Sequence, residues 1–208
     1  MGLSLWLVPN PTQLQLIQKV LPKQPKTRPV SAASYPDITP HITLASSGKA
    51  TQDAFLRAIP STLHPIPVEF QKLEVGDHYF RSVFISVKKT TELVALHEHI
   101  MAALDRDGAS PSAPAFPHMS ISYIADEDGA AERKNAADEL RDITVVEGSE
   151  TDLDGAETVV LRCGDSEEGY VCLARFEGTE VWIVRCEGPV QHWQVLHKIT
   201  VTPDVTVT

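Results

Sequence analysis

The chain is short of cysteine, short of basic charge relative to acid, and without an apolar run that could cross a membrane. Its 208 residues include three cysteines, Cys163, Cys172 and Cys186. The number is odd and no two stand in a Cys-x-x-Cys spacing, which removes a disulfide framework or thiolate zinc site from consideration. Buried free thiols are expected, with one disulfide in the C-terminal half as the alternative. Lysine and arginine total 18 against 28 acids, a net charge of -10. A broad basic groove for polymeric nucleic acid is therefore not expected, because phosphate contacts demand clustered Lys and Arg. A small anion held locally is compatible with that balance. The apolar stretch 3–8 has no basic segment before it and ends at Pro9, so neither a signal peptide nor a membrane helix is expected. The chain reads as intracellular and cytoplasmic, with peripheral endomembrane association left open. Gly2 follows Met1 as in acylated proteins, but Trp6 stands where Ser or Thr is required. Metal-binding patterns are also missing. His97 and His99 are two apart and face away from each other on a helix, and Met101 occupies the position four after His97. Asp126, Glu127 and Asp128 suit a helix N-terminus better than an ion-binding loop.

What is abundant is proline, with 15 residues. Pro22, Pro25, Pro29, Pro36 and Pro40 rule out regular structure over 22–40, and Pro111, Pro114 and Pro117 do the same for a second loop. Lys23, Lys26 and Arg28 on the first loop are candidates for steering an anionic ligand. Around these loops the periodicity predicts a buried strand over 3–8 and a helix carrying Leu14, Ile17 and Val20 or Leu21. A short helix at 51–59 and strands at 68–75 and 79–87 about a Gly76-Asp77 turn come next. Thr90 caps a helix with Leu93, Leu96, His97, Ile100 and Leu104 on one face, which makes His97 a core-edge residue. A strand at 116–124, a charged helix at 130–140 and an exposed acidic, glycine-bearing loop at 142–155 follow. Strands near 158–163, 170–176, 181–186 and 193–199 complete the chain. Helix, strand, helix, strand, strand thus occurs twice, from 11 to 88 and from 91 onward, which suggests a duplication at fold level. The expected class is α+β: two pseudo-symmetric lobes, each an antiparallel sheet with helices on its outer face, and a cleft between them. Residues 1–200 are expected to form a single bilobal domain, and 201–208 a flexible tail.

Each half contains one copy of a short pattern, His41-Ile42-Thr43-Leu44 and His118-Met119-Ser120-Ile121. In a strand, His41 and Thr43 share one face while Ile42 and Leu44 share the other, and His118 and Ser120 repeat the layout. With eight histidines, a bare His-x-Ser/Thr arises by accident about once. Requiring apolar residues at the second and fourth positions lowers the expected number to about 0.2. Two half-buried strand histidines bonded to neighbouring hydroxyls are the bland alternative. Facing each other across a cleft, the same residues make an acid-base pair. In-line hydrolysis of a phosphodiester needs a base at the incoming water and an acid at the leaving oxygen, on opposite sides of phosphorus. Unperturbed imidazoles near pKa 6.5 can hold one proton between them at neutral pH. Thr43 and Ser120 would donate to the non-bridging oxygens. With no arginine clamp or metal set visible, a strained cyclic phosphate is the more credible substrate.

These residues resemble the 2H phosphoesterase superfamily, and within it the cyclic phosphodiesterases of fungal and plant type. The opening Leu-Trp-Leu-Val-Pro strand, Pro40 before His41, Tyr123 after the second motif, Trp182-Ile183-Val184, Gly188-Pro189 and Trp193-Gln194-Val195-Leu196 extend the likeness over almost the whole chain. The resemblance implies opening of ADP-ribose 1″,2″-cyclic phosphate, a by-product of tRNA splicing, to ADP-ribose 1″-phosphate, and of nucleoside 2′,3′-cyclic phosphates to 2′-phosphates. It implies no metal; no cofactor, a small-molecule cyclic phosphate substrate, no stable nucleic-acid partner and a monomer are the further expectations. By the same resemblance His41 and His118 are the catalytic pair, Thr43 and Ser120 bind phosphate, and Tyr123 contacts substrate. His118 would activate water and His41 protonate the leaving oxygen, although the near-symmetry leaves that order open. The region 163–177 fits least well and is expected in an extra hairpin away from the site. Replacing either histidine with alanine is expected to abolish turnover and leave folding largely intact, because exposed site residues contribute little to the core. Processing of RNA ends or 2′,5′-linked oligonucleotides, a non-catalytic nucleotide-binding module and an interaction scaffold remain alternatives.

Overall fold

Strand β1 (Leu3–Pro9) is buried from Ser4 onward, because it is flanked by a strand on each side. Asn10 then accepts a hydrogen bond from the Gln13 amide, and Pro11 takes the first position of helix α1 (Pro11–Val20), where its missing N–H costs nothing. The computed structural model describes residues 2–143, 145–151, 157–164 and 169–201. Along it follow β2 (Ile42–Ser47), α2 (Gln52–Ala58), β3 (Ile66–His78), β4 (Arg81–Val87), α3 (Thr91–Arg106), β5 (His118–Ser122) and α4 (Gly129–Ile143). Then come β6 (Val145–Thr151), β7 (Glu157–Cys163), β8 (Val171–Leu173), β9 (Arg175–Arg185) and β10 (Gln194–Thr200). Seven strands form one antiparallel sheet in the order β1-β2-β5-β4-β3-β9-β10, with β9 also pairing β1 so that the sheet closes on itself. Strands β6, β7 and β8 make a separate small sheet.

The fold is α+β, as expected, but the two halves exchange their hairpins. The second motif strand, β5, pairs with β4 from the first half. The first motif strand, β2, pairs with β1, which in turn pairs with β9 from the second half. Periodicity tells which face of a strand is apolar and is silent on which distant strand lies beside it. One core runs beneath the sheet, with Ile42, Leu44, Ile85 and Met119 packed against Ile17 of α1, Phe55 of α2, Leu93, Ile100 and Leu104 of α3, and Ala136 of α4. A smaller cluster of Trp6, Val8, Trp182, Val184 and Cys186 lies on β1, β9 and the residue that follows β9.

Three local expectations are corrected. The β3–β4 turn is not at Gly76-Asp77: β3 runs on to His78, and the register shifts between Val75 and His78. A Cβ on Gly76 would stand 2.1 Å from the Arg81 carbonyl oxygen, so this glycine serves close strand approach at a bulge rather than a turn. The acidic segment read as a loop over 142–155 contains β6, paired to β7 with an irregularity between Glu147 and Glu150 that absorbs Gly148 and Ser149; pairing overrides weak strand propensity. Residues 152–156 lie outside the described residues. The cysteines are free thiols, Cys163 and Cys186 buried but Cys172 exposed. At the C-terminus Val201 is buried and its amide donates to Thr179, while 202–208 lie outside the described residues. Among those described, no helix is long and apolar enough to cross a membrane.

Residues 21–41 contain no helix or strand, as the prolines require, and form a strap fastened to the α4 side of the molecule. Arg28 grips Glu132 through two bonds of 2.8 Å and reaches Glu139 at 2.7 Å. Tyr35 also donates to Glu132, the Ser31 amide donates to Asp128 at 3.0 Å, and the Tyr79 hydroxyl donates to Ala33 at 2.8 Å. Arg28 and Lys23, the latter paired with Asp37 at 2.7 Å, are therefore engaged within the strap. Two of the three cations expected to steer a ligand are neutralised by structural partners.

Candidate active site

One backbone rung joins the two motif strands, Ile42 opposite Met119. In an antiparallel pair, carrying that register one residue each way sets His41 level with Ser120 and Thr43 level with His118. Each histidine thus faces the hydroxyl of the other motif. Their shared face is opposite Ile42, Leu44, Met119 and Ile121, all in the core, so alternation delivers the four polar side chains to one side. All four, with Tyr123, line a cleft of about 520 Å³. The structure brings every site residue expected from sequence into one place.

Each imidazole is held by its Nδ1. His41 donates from Nδ1 to the Thr39 carbonyl at 2.6 Å, and His118 donates from Nδ1 to the Ala115 carbonyl at 2.9 Å. A carbonyl only accepts, so both neutral rings carry their proton on Nδ1 and keep the Nε2 lone pair for chemistry. The carbonyls come from the two proline-broken loops, which gives those loops a positioning role. Ala115 adopts φ 56°, an uncommon conformation for a residue with a Cβ and one that recurs at functional sites. His41 is also stacked on Trp6, ring centroids 3.7 Å apart and planes 11° from parallel. His118 meets the edge of Phe84 at 5.4 Å. Ser120 donates to the Phe80 carbonyl at 2.8 Å. Tyr123 is 3 % exposed, and burial raises its phenol pKa, so it acts as a neutral hydroxyl.

Burial pushes the His41 pKa down to about 4, with His118 nearby lowering it further and the bond to Thr39 opposing. Burial also lowers that of His118, with the Ala115 bond opposing and the Arg81 charge adding to the fall. In the free protein at neutral pH both rings are neutral. For His41 the unfolded chain takes up a proton near pH 6.5 while the folded chain waits until about 4. Its contribution to stability is therefore complete above about 6.5 and is lost as the pH falls from there toward 4, on the order of 3 kcal/mol in all. Urea unfolding at about pH 7.5 and pH 5 should show wild type losing about 2 kcal/mol more than His41→Gln over that interval. Equal losses would mean His41 titrates normally.

Several further residues line the cleft. Arg81, Asp77, His78 and Phe80 from the β3–β4 end, Trp193 from the segment before β10, and Ser4, Ser46 and Ser112 all line the cleft. Arg81 corrects the expectation that no arginine stands near the motifs; it lies far from either in sequence and arrives through the β4–β5 pairing. Trp6, in the strand expected to be buried over 3–8, is both core and cleft wall. Trp193 closes on it, with ring centroids 6.0 Å from Trp6 and 5.6 Å from Phe80. His97 takes no part: its Nδ1 donates to the Leu44 carbonyl at 2.8 Å and its ring stacks on Phe116 at 3.8 Å, which braces β2 from α3. Among the described residues no group of three or more His, Cys, Asp or Glu is placed to hold a metal ion. None of the described residues of β6, β7 or β8 lines the cleft.

Comparison with known proteins agrees with this geometry. The family described as cyclic phosphodiesterase-like protein matches residues 1–201. Among solved structures, one described as a phosphoesterase superposes with a TM-score of 0.53 at 16% identity, over 97% of this chain and 98% of its own. LigT of E. coli in complex with NADP+ gives 0.52 at 14% identity, over 97% of each chain. A Thermus thermophilus protein gives 0.51 at 15% identity, over 98% of this chain and 100% of its own. At these identities the likeness establishes a shared fold. No curated protein matches the sequence.

Proposed function

Because the chain belongs to the cyclic phosphodiesterase-like family of 2H phosphoesterases and is a phosphodiesterase, we propose that its substrates are cyclic phosphates on ribose. ADP-ribose 1″,2″-cyclic phosphate would give ADP-ribose 1″-phosphate, and nucleoside 2′,3′-cyclic phosphates would give 2′-phosphates. The observation that carries this reading is the cross-strand square of His41, Ser120, Thr43 and His118, with both rings anchored through Nδ1 and, among the described residues, no backbone bond to either Nε2. LigT, which shares the fold, holds a dinucleotide, in keeping with a nucleotide-sized ligand here.

The reaction adds one water across one P–O bond. A neutral imidazole removes a proton from water as the water oxygen bonds to phosphorus. The bond from phosphorus to the 2″- or 3′-oxygen breaks on the opposite side, and an imidazolium gives that oxygen its proton. The two rings end with their protonation states exchanged and return to the start through solvent. Arg81 supplies a bias between them, since its positive charge disfavours a proton on His118. His41 is kept neutral chiefly by burial, and an anionic phosphate placed against it offsets that penalty. With His118 as the base and His41 as the acid, the order the family likeness favours, the bound phosphate supplies what His41 needs to hold its proton. Ser120 must turn its hydroxyl from Phe80 to the phosphate, exchanging one bond for a stronger one to an anion.

The test is phosphorus NMR of the protein with each substrate type, with excess EDTA throughout. Conversion to the 1″- and 2′-monophosphates supports the proposal and shows which ester bond breaks. Binding without turnover would point to a non-catalytic nucleotide module. No action on either compound, with cleavage of 2′,5′-linked oligonucleotides, would move the function to RNA processing.

A further inference from the structure

Neither the paired histidines nor the hydroxyls account for one group in the cleft. Arg81 is the single lysine or arginine among the described lining residues, in a chain of net charge -10. Its side chain is 31% exposed, and its ion-pair partner Asp77 is 3.8 Å away with a 95% exposed carboxylate, beyond hydrogen-bond distance. The contrast with Arg28, gripped by two carboxylates within 2.8 Å, is one of purpose: Arg28 is satisfied by the fold, and Arg81 keeps donors for something else. Beside it stands His78, whose Nδ1 accepts from the Phe80 amide at 3.3 Å. That bond fixes the neutral tautomer with N–H on Nε2, so His78 also offers a donor at this end of the cleft.

The backbone of Arg81 stands away from the reacting centre, and its side chain reaches back toward the edge of that centre. It opens β4, whose Phe84 is level with Ser120 and whose Ser86 is level with His118. At about 3.3 Å per residue the Arg81 backbone is roughly 10 Å along the strand from the Ser120 level and further still from His118. Its guanidinium rests over the Phe84 ring at 5.8 Å, the ring whose edge His118 meets. The reacting phosphate already has two imidazoles and two hydroxyls. A fork of guanidinium donors at the edge of the same cleft suits a second phosphate.

We propose that Arg81, with the Nε2–H of His78, forms an anion subsite for a phosphate or pyrophosphate that the substrate carries in addition to its cyclic phosphate, and that it selects such substrates. The inference rests on the proposed function and narrows its substrate class: ADP-ribose 1″,2″-cyclic phosphate has a pyrophosphate to offer, and a plain nucleoside 2′,3′-cyclic phosphate does not.

The experiment compares adenosine 2′,3′-cyclic phosphate with the same compound bearing a 5′-phosphate, measured as kcat/KM at about pH 8, where both histidines are neutral in the free enzyme. Wild type should prefer the 5′-phosphorylated compound by roughly 10- to 100-fold, the range of a charge-assisted hydrogen bond. Arg81→Gln should abolish the preference through KM, and Arg81→Lys, a point charge without the fork, should keep part of it. Any effect of Arg81 on His118 falls on both compounds and cancels in the ratio. A wild type with no preference, or an Arg81→Gln loss equal on both compounds, overturns the subsite. Failure of wild type on both compounds overturns the phosphodiesterase reading itself, and the two failures are distinct.

Discussion

Alanine at His41 or at His118 should each lower kcat/KM by about 10³-fold or more, because each removes one of two proton transfers worth 10²- to 10⁴-fold. The double variant should be little worse than either single one, since the two act as a unit on one transition state. Their effects on folding should differ. His41 is 8% exposed and stacked on Trp6, which corrects the expectation that both histidines are exposed site residues contributing little to the core. Removing its ring leaves a hole against Trp6 and should cost about 1–2 kcal/mol, whereas His118 is only half-buried and should cost less. His41→Asn, which keeps a polar side chain under the same cover, separates the two effects: activity should stay lost while stability largely returns. Turnover of the cyclic phosphates together with thermal unfolding checks this. Either single alanine variant retaining a tenth or more of wild-type activity would end the paired mechanism.

The reason this pair could be found without coordinates lies in strand alternation. A His-x-Thr or His-x-Ser step in an apolar strand can only put both polar groups on one face, and the cores under β2 and β5 confirm it through Ile42, Leu44, Met119 and Ile121. Helix starts were equally legible, because caps are local chemistry: Thr51 accepts from the Ala54 amide and Thr90 from the Leu93 amide. What failed depended on partners distant in the chain. Gly76 looks like a turn until the Arg81 carbonyl is placed against it. Glu147 to Glu150 look like a loop until β7 is laid alongside. Arg28 looks like a free cation until Glu132 and Glu139 are brought to it across 104 and 111 residues. Arg81 itself has no flanking pattern, and only the β4–β5 register carries it to the cleft.

Trp6 joins folding to chemistry, and its removal should show in both. The indole belongs to the cluster with Val8, Trp182, Val184 and Cys186, donates from Nε1 to Ser4 at 2.9 Å, and covers one face of His41. Trp6→Ala should cost about 3–5 kcal/mol, as for other large buried aromatics, and lower Tm by roughly 10 °C in a chain of this length. A structural role alone would end there. Because Trp6 is part of what keeps water from the His41 ring, its loss should also raise the His41 pKa from about 4 toward the ordinary 6.5, since desolvation is the largest cause of the depression. Nitrogen NMR titration of the imidazole reads this directly, in protein still folded at low temperature. Trp6→Phe should keep the low value, retaining an aromatic cover, and lose about 1 kcal/mol with the bond to Ser4. An unchanged His41 pKa in Trp6→Ala would show that the protein seals His41 from elsewhere, and would reduce Trp6 to a packing residue beside the cleft.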